Sequence, residues 1–282
     1  MNFENILKEI ETTDPEVYER LSDRRKALKS FTNISGKIAL TALPFALGSL
    51  FQRAYGAPPP SNSTVLDVLN FALTLEYVES NFYLQGLAAP HLIPHGQQRH
   101  DIGTISAHEA EHVAFLTTVI QSAGGTPVNK PNFDFTAGGG SGNGPFKDVF
   151  TNYQTFLAVA QAFEDTGVRA YKGQAPALVK GGAYLTAALN IHSVEARHAS
   201  HIRTMRKVNG FADVTPWITL AQSGIGAVAD ANYAGEDNTV QAGIQIVNIG
   251  GYNITAEAAS AAFDEPLTKA QILAIVGPFL AP

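Results

Sequence analysis

Apolar side chains recur at steps of three and four along four stretches of this chain, which is the spacing of one face of an α-helix. The stretches start near residues 64, 102, 150 and 184. The positions that define the four faces are Leu66, Leu69, Leu73, Ser80 and Leu87; Ile102, Ile105, Leu116 and Val119; Phe150, Tyr153, Leu157, Ala160 and Tyr171; and Tyr184, Ala188, Ile191, Ile202 and Met205. The pattern predicts four helices and an all-α fold.

The lengths of the connections predict how these helices are arranged. Residues 90–100 join the first pair and residues 173–182 join the second pair, and both connections suit antiparallel neighbours. About 25 residues, rich in glycine and proline between Gly124 and Pro145, separate the two pairs. Two hairpins joined by one long crossover make a four-helix bundle.

Each apolar face is interrupted at mid-length by acidic or imidazole side chains. In chain order these are Glu76, Glu109 with His112, Glu164, and Glu195 with His198. Glu76 precedes Glu109 by 33 residues and Glu164 precedes Glu195 by 31, so the hairpins form an internal repeat of about 87 residues. The polar positions therefore belong to one shared layer of the predicted core.

Four carboxylates in a core need a partner, because an isolated buried charge is too costly to maintain. The helical faces predict no basic residue in the core, and the chain has no cysteine, which excludes thiolate sites. Four ionised glutamates and two neutral histidines carry a formal charge of −4, which two divalent cations cancel. Carboxylate oxygen with imidazole suits iron or manganese, and each Glu-x-x-His pair lies on one helix face.

Four segments resemble the ferritin-like superfamily, and more closely its exported branch, often labelled ferritin-like or desiccation-related. They are LEYVESNFY (75–83), HEAEHVAFL (108–116), FEDTGVRAYKG (163–173) and IHSVEARHASHIR (191–203), with a weaker likeness in FDEPLTKAQILAIV near the end. The resemblance implies that the metal ligands are Glu76, Glu109, His112, Glu164, Glu195 and His198. It further implies that Glu109 and Glu195 bridge the ions and that Tyr83 and Tyr171 lie beside them.

The functional hypothesis is a centre of two iron ions, or alternatively two manganese ions, that reacts with dioxygen or hydrogen peroxide in oxidative or stress defence. A di-manganese catalase has a similar ligand set, whereas a full rubrerythrin is excluded because its rubredoxin cysteines are missing. There are two alternatives. One is iron storage with ferroxidase activity in a cage, and the other is a structural stress protein stabilised by metal. Turnover of peroxide separates the first hypothesis from the structural one, and a large hollow particle identifies storage.

The remaining polar residues near these positions are expected to support or surround the centre. Glu79 and Glu111 lie off the apolar faces and are expected to be solvated. Three histidines flank the ligand pairs, and we expect them to contact ligands or lie at the surface: His108, His192 and His201. Asp165 and Arg169 are expected either to orient ligands or to pair on a helix surface.

The first 57 residues resemble a bacterial twin-arginine export signal. Arg24 and Arg25 precede the apolar stretch 38–51, and small residues follow at 54–57, although Asp23 and Ala27 depart from the usual motif. The apolar stretch is shorter than the roughly 20 residues of a membrane-spanning helix, so no stable membrane span is expected. The alternative is a retained surface helix followed by a buried helix, which predicts a cytoplasmic protein in place of an exported, periplasmic one.

The predicted organisation is therefore an export signal at 1–57, a linker at 58–63, the bundle at 64–207 and a mostly irregular C-terminal extension with short helices at 208–282. Thr268 and Gln271 form a capping box, which predicts a closing helix that includes Ile272. The net charge of −6, from 19 basic and 25 acidic residues, excludes a nucleic-acid partner. The pattern is compatible with a homo-oligomer.

Overall fold

The computed structural model describes residues 61–282, and the predicted export signal lies outside these residues. Four long helices dominate: α1 (Asn62–Ala88), α2 (Gln97–Ser122), α3 (Tyr153–Gln174) and α4 (Ala183–Val208). The main contacts join α1 to α2 and α3 to α4, and α1 also packs on α3. The predicted four-helix bundle with one long crossover is confirmed. Within residues 61–282, no helix has both the length and the apolar character needed to cross a membrane.

Local signals determine where the four helices begin. Ser61 caps α1 and Asn152 caps α3, each through a side-chain oxygen that accepts a hydrogen bond from a first-turn amide. The second helix of each hairpin follows a glycine with positive φ, at Gly96 and Gly182. The spacing places Phe150 on the third helix, but the Asn152 cap starts the helix after it. Phe150 lies in the preceding turn and packs against the core from there.

Two apolar clusters fill the bundle, and the predicted polar residues lie between them. One cluster contains Phe82 and Phe156, whose rings stack with centroids 4.8 Å apart. On α4, Ile191 belongs to the other cluster and Ile202 to the first, and Glu195 lies between these two positions. The bundle therefore places its acidic layer between two layers of hydrocarbon that exclude water.

The C-terminal extension contains short helices, as predicted, and short strands occur in both the crossover and the extension. The helices of the extension are α5 (Asp230–Tyr233), α6 (Ala256–Ser260) and α7 (Lys269–Val276). The strands are β1 (Asn132–Phe133), β2 (Val240–Gln241), β3 (Ile244–Gln245) and β4 (Leu280–Ala281), with β1 antiparallel to β4 and β2 antiparallel to β3. Short 3₁₀ turns lie at Ala175–Leu178, Ala227–Ala229, Ile249–Gly251 and Gly277–Phe279. The capping box of Thr268 and Gln271 before α7 is confirmed.

Buried arginines correct the expectation that the core holds no basic residue. Arg203 of α4 donates two hydrogen bonds to Asp165 of α3, the Nε bond at 3.0 Å, and Tyr233 of the extension donates a third at 2.6 Å. Arg169 lies 2.7 Å from Glu236 and also donates to three backbone carbonyls of the extension. Asp165 and Arg169 therefore attach the extension to α3, and their observed partners are not the six predicted ligands.

We expect Tyr233→Phe to lower the free energy of unfolding by about 1 to 3 kcal/mol, because it removes a buried hydrogen bond to a carboxylate. The Tyr233 hydroxyl also accepts from Gln161 Nε2 at 2.8 Å, so that donor loses a partner as well. Tyr252→Phe is the matched control, since Tyr252 is 54% exposed. Urea unfolding of both variants measures the difference, and equal midpoints would contradict the proposed attachment.

Candidate metal centre

All six residues that the sequence singles out for metal binding meet in the polar layer. Their side chains form two groups, each with one donor atom per residue and all these atoms within 4.8 Å of one another. The groups are Glu76, Glu109, His112 and Glu195, and Glu109, Glu164, Glu195 and His198. Every long helix contributes. Because the two groups share Glu109 and Glu195, the arrangement has the form of two adjacent cation positions with two bridging carboxylates.

Burial is uneven across this cluster. The four glutamates are completely buried, whereas the side chain of His198 is 6% exposed and that of His112 is 13% exposed. The histidines come from α2 and α4, so the solvent-facing side of the cluster lies between these two helices. Small molecules or ions that enter from solvent would meet the imidazoles first.

Five buried atoms of the cluster make no hydrogen bond of good geometry, and one of them, Oε2 of Glu195, also lacks a nearby imidazole nitrogen. They are Oε1 of Glu109, Oε2 of Glu164, both carboxylate oxygens of Glu195 and Nδ1 of His198. Such atoms are rare in folded proteins because each costs the desolvation of a polar group without compensation. The buried arginines make their contacts elsewhere and the imidazoles satisfy these atoms only in part, so a cation between the carboxylates would satisfy them more fully. The donor set, carboxylate oxygen with imidazole nitrogen, fits metal ions.

In the metal-free cluster the imidazoles take the place of cations. Nδ1 of His112 lies 3.1 Å from Glu76 Oε2, and Nδ1 of His198 lies 2.7 Å from Glu109 Oε1. Burial by itself lowers the pKa of both histidines, but the surrounding carboxylates outweigh it and raise the pKa to about 12 for His112 and about 11 for His198. Both nitrogens must lose their protons to bind metal, so metal uptake releases protons.

The pKa values of the four glutamates are shifted in opposite directions by this environment. Burial raises the pKa of Glu76 to about 8, and it also raises the pKa of Glu164 and Glu195, with neighbouring glutamate charges adding to the effect. Burial also acts to raise the pKa of Glu109, but hydrogen bonds with His112 and His198 prevail and lower it to about 2. Without metal, the cluster is thus a crowded set of carboxylates neutralised by bound protons.

Tyr83 and Tyr171 connect the two hairpins at the cluster. The hydroxyl of Tyr83 on α1 donates to Glu164 on α3, and that of Tyr171 on α3 donates to Glu76 on α1. Burial raises the pKa of both tyrosines well above the usual value, so both hydroxyls remain protonated donors. Each tyrosine fixes one carboxylate oxygen and leaves the other free for the cluster.

A polar cleft between α2 and α4 leads to His198. Its volume is about 610 Å³, and its lining includes His100, Asp101, His108, Arg197, His198 and His201. Nδ1 of His108 lies 3.0 Å from the outer nitrogen of His198, Nε2, and His201 pairs with Asp101 at 3.1 Å. His108 therefore contacts a predicted ligand and His201 lies at the surface, whereas His192 is half-buried on α4 and belongs to neither group.

The expectation for Glu79 is wrong, and that for Glu111 is confirmed. Glu111 is exposed, but Glu79 is only 3% exposed and lies beside the cluster. Glu79 follows Glu76 by three residues, and positions three apart share one side of a helix. The same spacing rule that pairs glutamate with histidine on α2 and α4 is the signal that identifies Glu79.

A bundle of two hairpins with a buried layer of carboxylates and imidazoles from all four helices defines the ferritin-like class of helical proteins. The family model described as the ferritin-like domain matches residues 64–208, more than half of the chain. The chain therefore belongs to the ferritin-like family. No curated protein matches it.

Proposed function

We propose that the chain is an exported ferritin-like protein that holds two iron ions, or two manganese ions, and reacts with dioxygen or hydrogen peroxide. The observation that carries the proposal is the pair of donor groups that share Glu109 and Glu195, in which the buried Oε2 of Glu195 has no partner. Glu76 and His112 complete one position, and Glu164 and His198 complete the other. A buried carboxylate oxygen without a partner is costly, and a bound cation would offset that cost.

Two bound divalent ions supply Lewis acidity and one electron each. Reduction of one hydrogen peroxide to two waters requires two electrons and two protons. The two ions would supply the electrons, and solvent would supply the protons. The chain contributes the shared carboxylates, the tyrosine hydroxyls that orient Glu76 and Glu164, and the apolar layers above and below that exclude bulk water. The cleft lined by His198 marks the side from which a small polar oxidant would approach the centre.

Anaerobic loading with two Fe²⁺ per chain, followed by mixing with hydrogen peroxide or dioxygen, tests this function. We expect rapid oxidation of the bound iron, which is monitored by absorbance. One peroxide should be consumed per two ions. The same measurement with Mn²⁺ and an oxygen electrode tests for catalase activity. A protein that binds both ions but oxidises them no faster than ions in buffer uses the metal only structurally, and a hollow particle that accumulates many ions is a store.

Export rests on the twin-arginine resemblance of residues 1–57. We expect the double variant Arg24→Lys, Arg25→Lys to accumulate in the cytoplasm as a full-length, metal-loaded protein, because this export route carries folded proteins. Cell fractionation and N-terminal sequencing measure the outcome. Normal export of the double variant, or a mature wild-type protein that still begins at Met1, would contradict the assignment.

A further inference from the structure

The two hairpins match closely at the centre but differ at one position. Glu76 and Glu164 are each followed seven residues later by a tyrosine, and each tyrosine bonds to the glutamate of the other hairpin. Three residues after Glu76 the chain has Glu79, and three residues after Glu164 it has Gly167. One half of the repeat therefore adds a carboxylate where the other half has no side chain.

Glu79 is buried against the centre. Its side chain is 3% exposed, and its Oε2 is a buried atom without a hydrogen-bond partner. A Cβ atom at Gly167 would lie 2.8 Å from Glu195 Oε2 and 3.1 Å from Glu79 Oε1. Gly167 thus leaves the space in which these two carboxylates approach each other, and Glu195 is one of the two shared residues of the centre.

The course of α1 indicates which of the two positions Glu79 approaches. Glu76 belongs to the group with His112, whereas Tyr83, further along the same helix, bonds to Glu164 of the other group. Glu79 lies between Glu76 and Tyr83 on this path. Its carboxylate therefore lies further along α1 toward the Glu164 and His198 position than that of Glu76 does, and it lies near the shared Glu195.

We propose that Glu79 is a seventh protein ligand, which binds the ion at the Glu164 and His198 position and makes the two metal positions unequal. This assignment rests on the proposed function. Glu79 lies outside the two groups of converging donor atoms, so this assignment requires its carboxylate to reorient toward the ion.

The added ligand changes the charge of the centre. Five carboxylates exceed the charge of two divalent ions by one, so the centre with Glu79 favours a higher total metal charge than the six-ligand set does. The excess is on one side, because Gly167 supplies no counterpart. The ion beside Glu79 is accordingly the one that binds more tightly and whose trivalent state is stabilised.

Titration with Co²⁺ alone, monitored by visible absorption, tests the assignment without any measurement of turnover. The wild type is expected to bind two Co²⁺ per chain with unequal affinity. Glu79→Gln keeps the shape of the side chain, and we expect it to weaken the tighter site by about ten- to a hundredfold and leave the other unchanged. The visible bands of that ion should intensify, because loss of a ligand lowers its coordination number.

Glu79→Asp provides a second variant, because it keeps the charge and withdraws the oxygens by one methylene, and it should weaken the same site. Glu111→Gln, an exposed charge removal on α2, is the control and should leave both sites unchanged. Two unaltered sites in Glu79→Gln would overturn this assignment alone. Failure of the wild type to bind two Co²⁺ would overturn the proposed function and this assignment with it.

Discussion

Loss of tightly bound metal is the expected result of four single substitutions: Glu109→Ala, His112→Ala, Glu195→Ala and His198→Ala. Glu109 and Glu195 belong to both donor groups, so removal of either is expected to release both ions. His112 and His198 each belong to one group, so removal of either should first release one ion. We expect affinity to fall by at least about a hundredfold at each affected position, since even outer contacts of metal sites contribute ten- to a hundredfold.

Metal analysis after loading with Fe²⁺ under anaerobic conditions, or with Mn²⁺, measures this result as ions per chain. Glu111→Ala is the matched control, because Glu111 is exposed on the same helix as Glu109 and His112. Circular dichroism of each variant establishes that the bundle remains folded. A wild-type protein that binds neither metal would show that the central assignment is wrong.

A fall in the stability of the metal-free protein between about pH 5 and pH 8 is the second large expected effect. The folded-state pKa of Glu76 is about 8 against an ordinary 4.5, so the folded protein holds this proton more firmly than the unfolded chain. Stability from this group is therefore present at pH 5 and is lost as the pH rises toward 8.

Titration of the two histidines also makes the metal-free fold less stable as the pH rises, but over a higher pH range. Their pKa values rise from 6.5 to about 12 for His112 and about 11 for His198, so their contribution is complete below pH 6.5 and declines above it. Glu109 has the opposite sign, but its contribution is lost only as the pH falls from 4.5 toward 2, outside this window. Metal ions replace these protons, so the metal-bound form should not show the decline. Thermal melts of both forms at pH 5 and pH 8 measure the difference.

Glu76→Gln combined with Glu164→Gln isolates the carboxylate contribution. Both residues are completely buried, and glutamine keeps an oxygen that accepts from Tyr171 or Tyr83. We expect the double variant to be more stable than the metal-free wild type at pH 8 by about 1 to 4 kcal/mol, and to bind no metal and show no oxidant chemistry.

The control for this pair is Asp67→Asn with Glu111→Gln, which removes one exposed charge from each of α1 and α2 and should change little. A Glu76 and Glu164 variant that is less stable than the metal-free wild type at pH 8 would mean that these glutamates are not a crowded buried cluster. The assignment of α1 and α3 to the centre would then fail.

Spacing along the chain is enough to predict the four helices, the crossover and the six polar positions of the cluster. These features depend on local rules: a helix repeats every 3.6 residues, so spacing alone places Glu109 and His112 on one face. The closing helix with its Thr268 cap was predictable for the same reason, because a capping box needs only four consecutive residues.

Burial of the remaining helix faces depends on how the helices and the C-terminal extension pack together. Residues 156–171 of α3 are all buried, because the bundle covers one side and the C-terminal extension covers the other. The extension has no hydrophobic periodicity, so the sequence does not predict that Asp165 and Arg169 contact it. The sequence predicts an exposed Glu79, and this prediction is wrong for a similar reason. Glu79 is buried because α3 approaches α1 at Gly167, and the pattern of a single helix does not indicate where another helix packs against it.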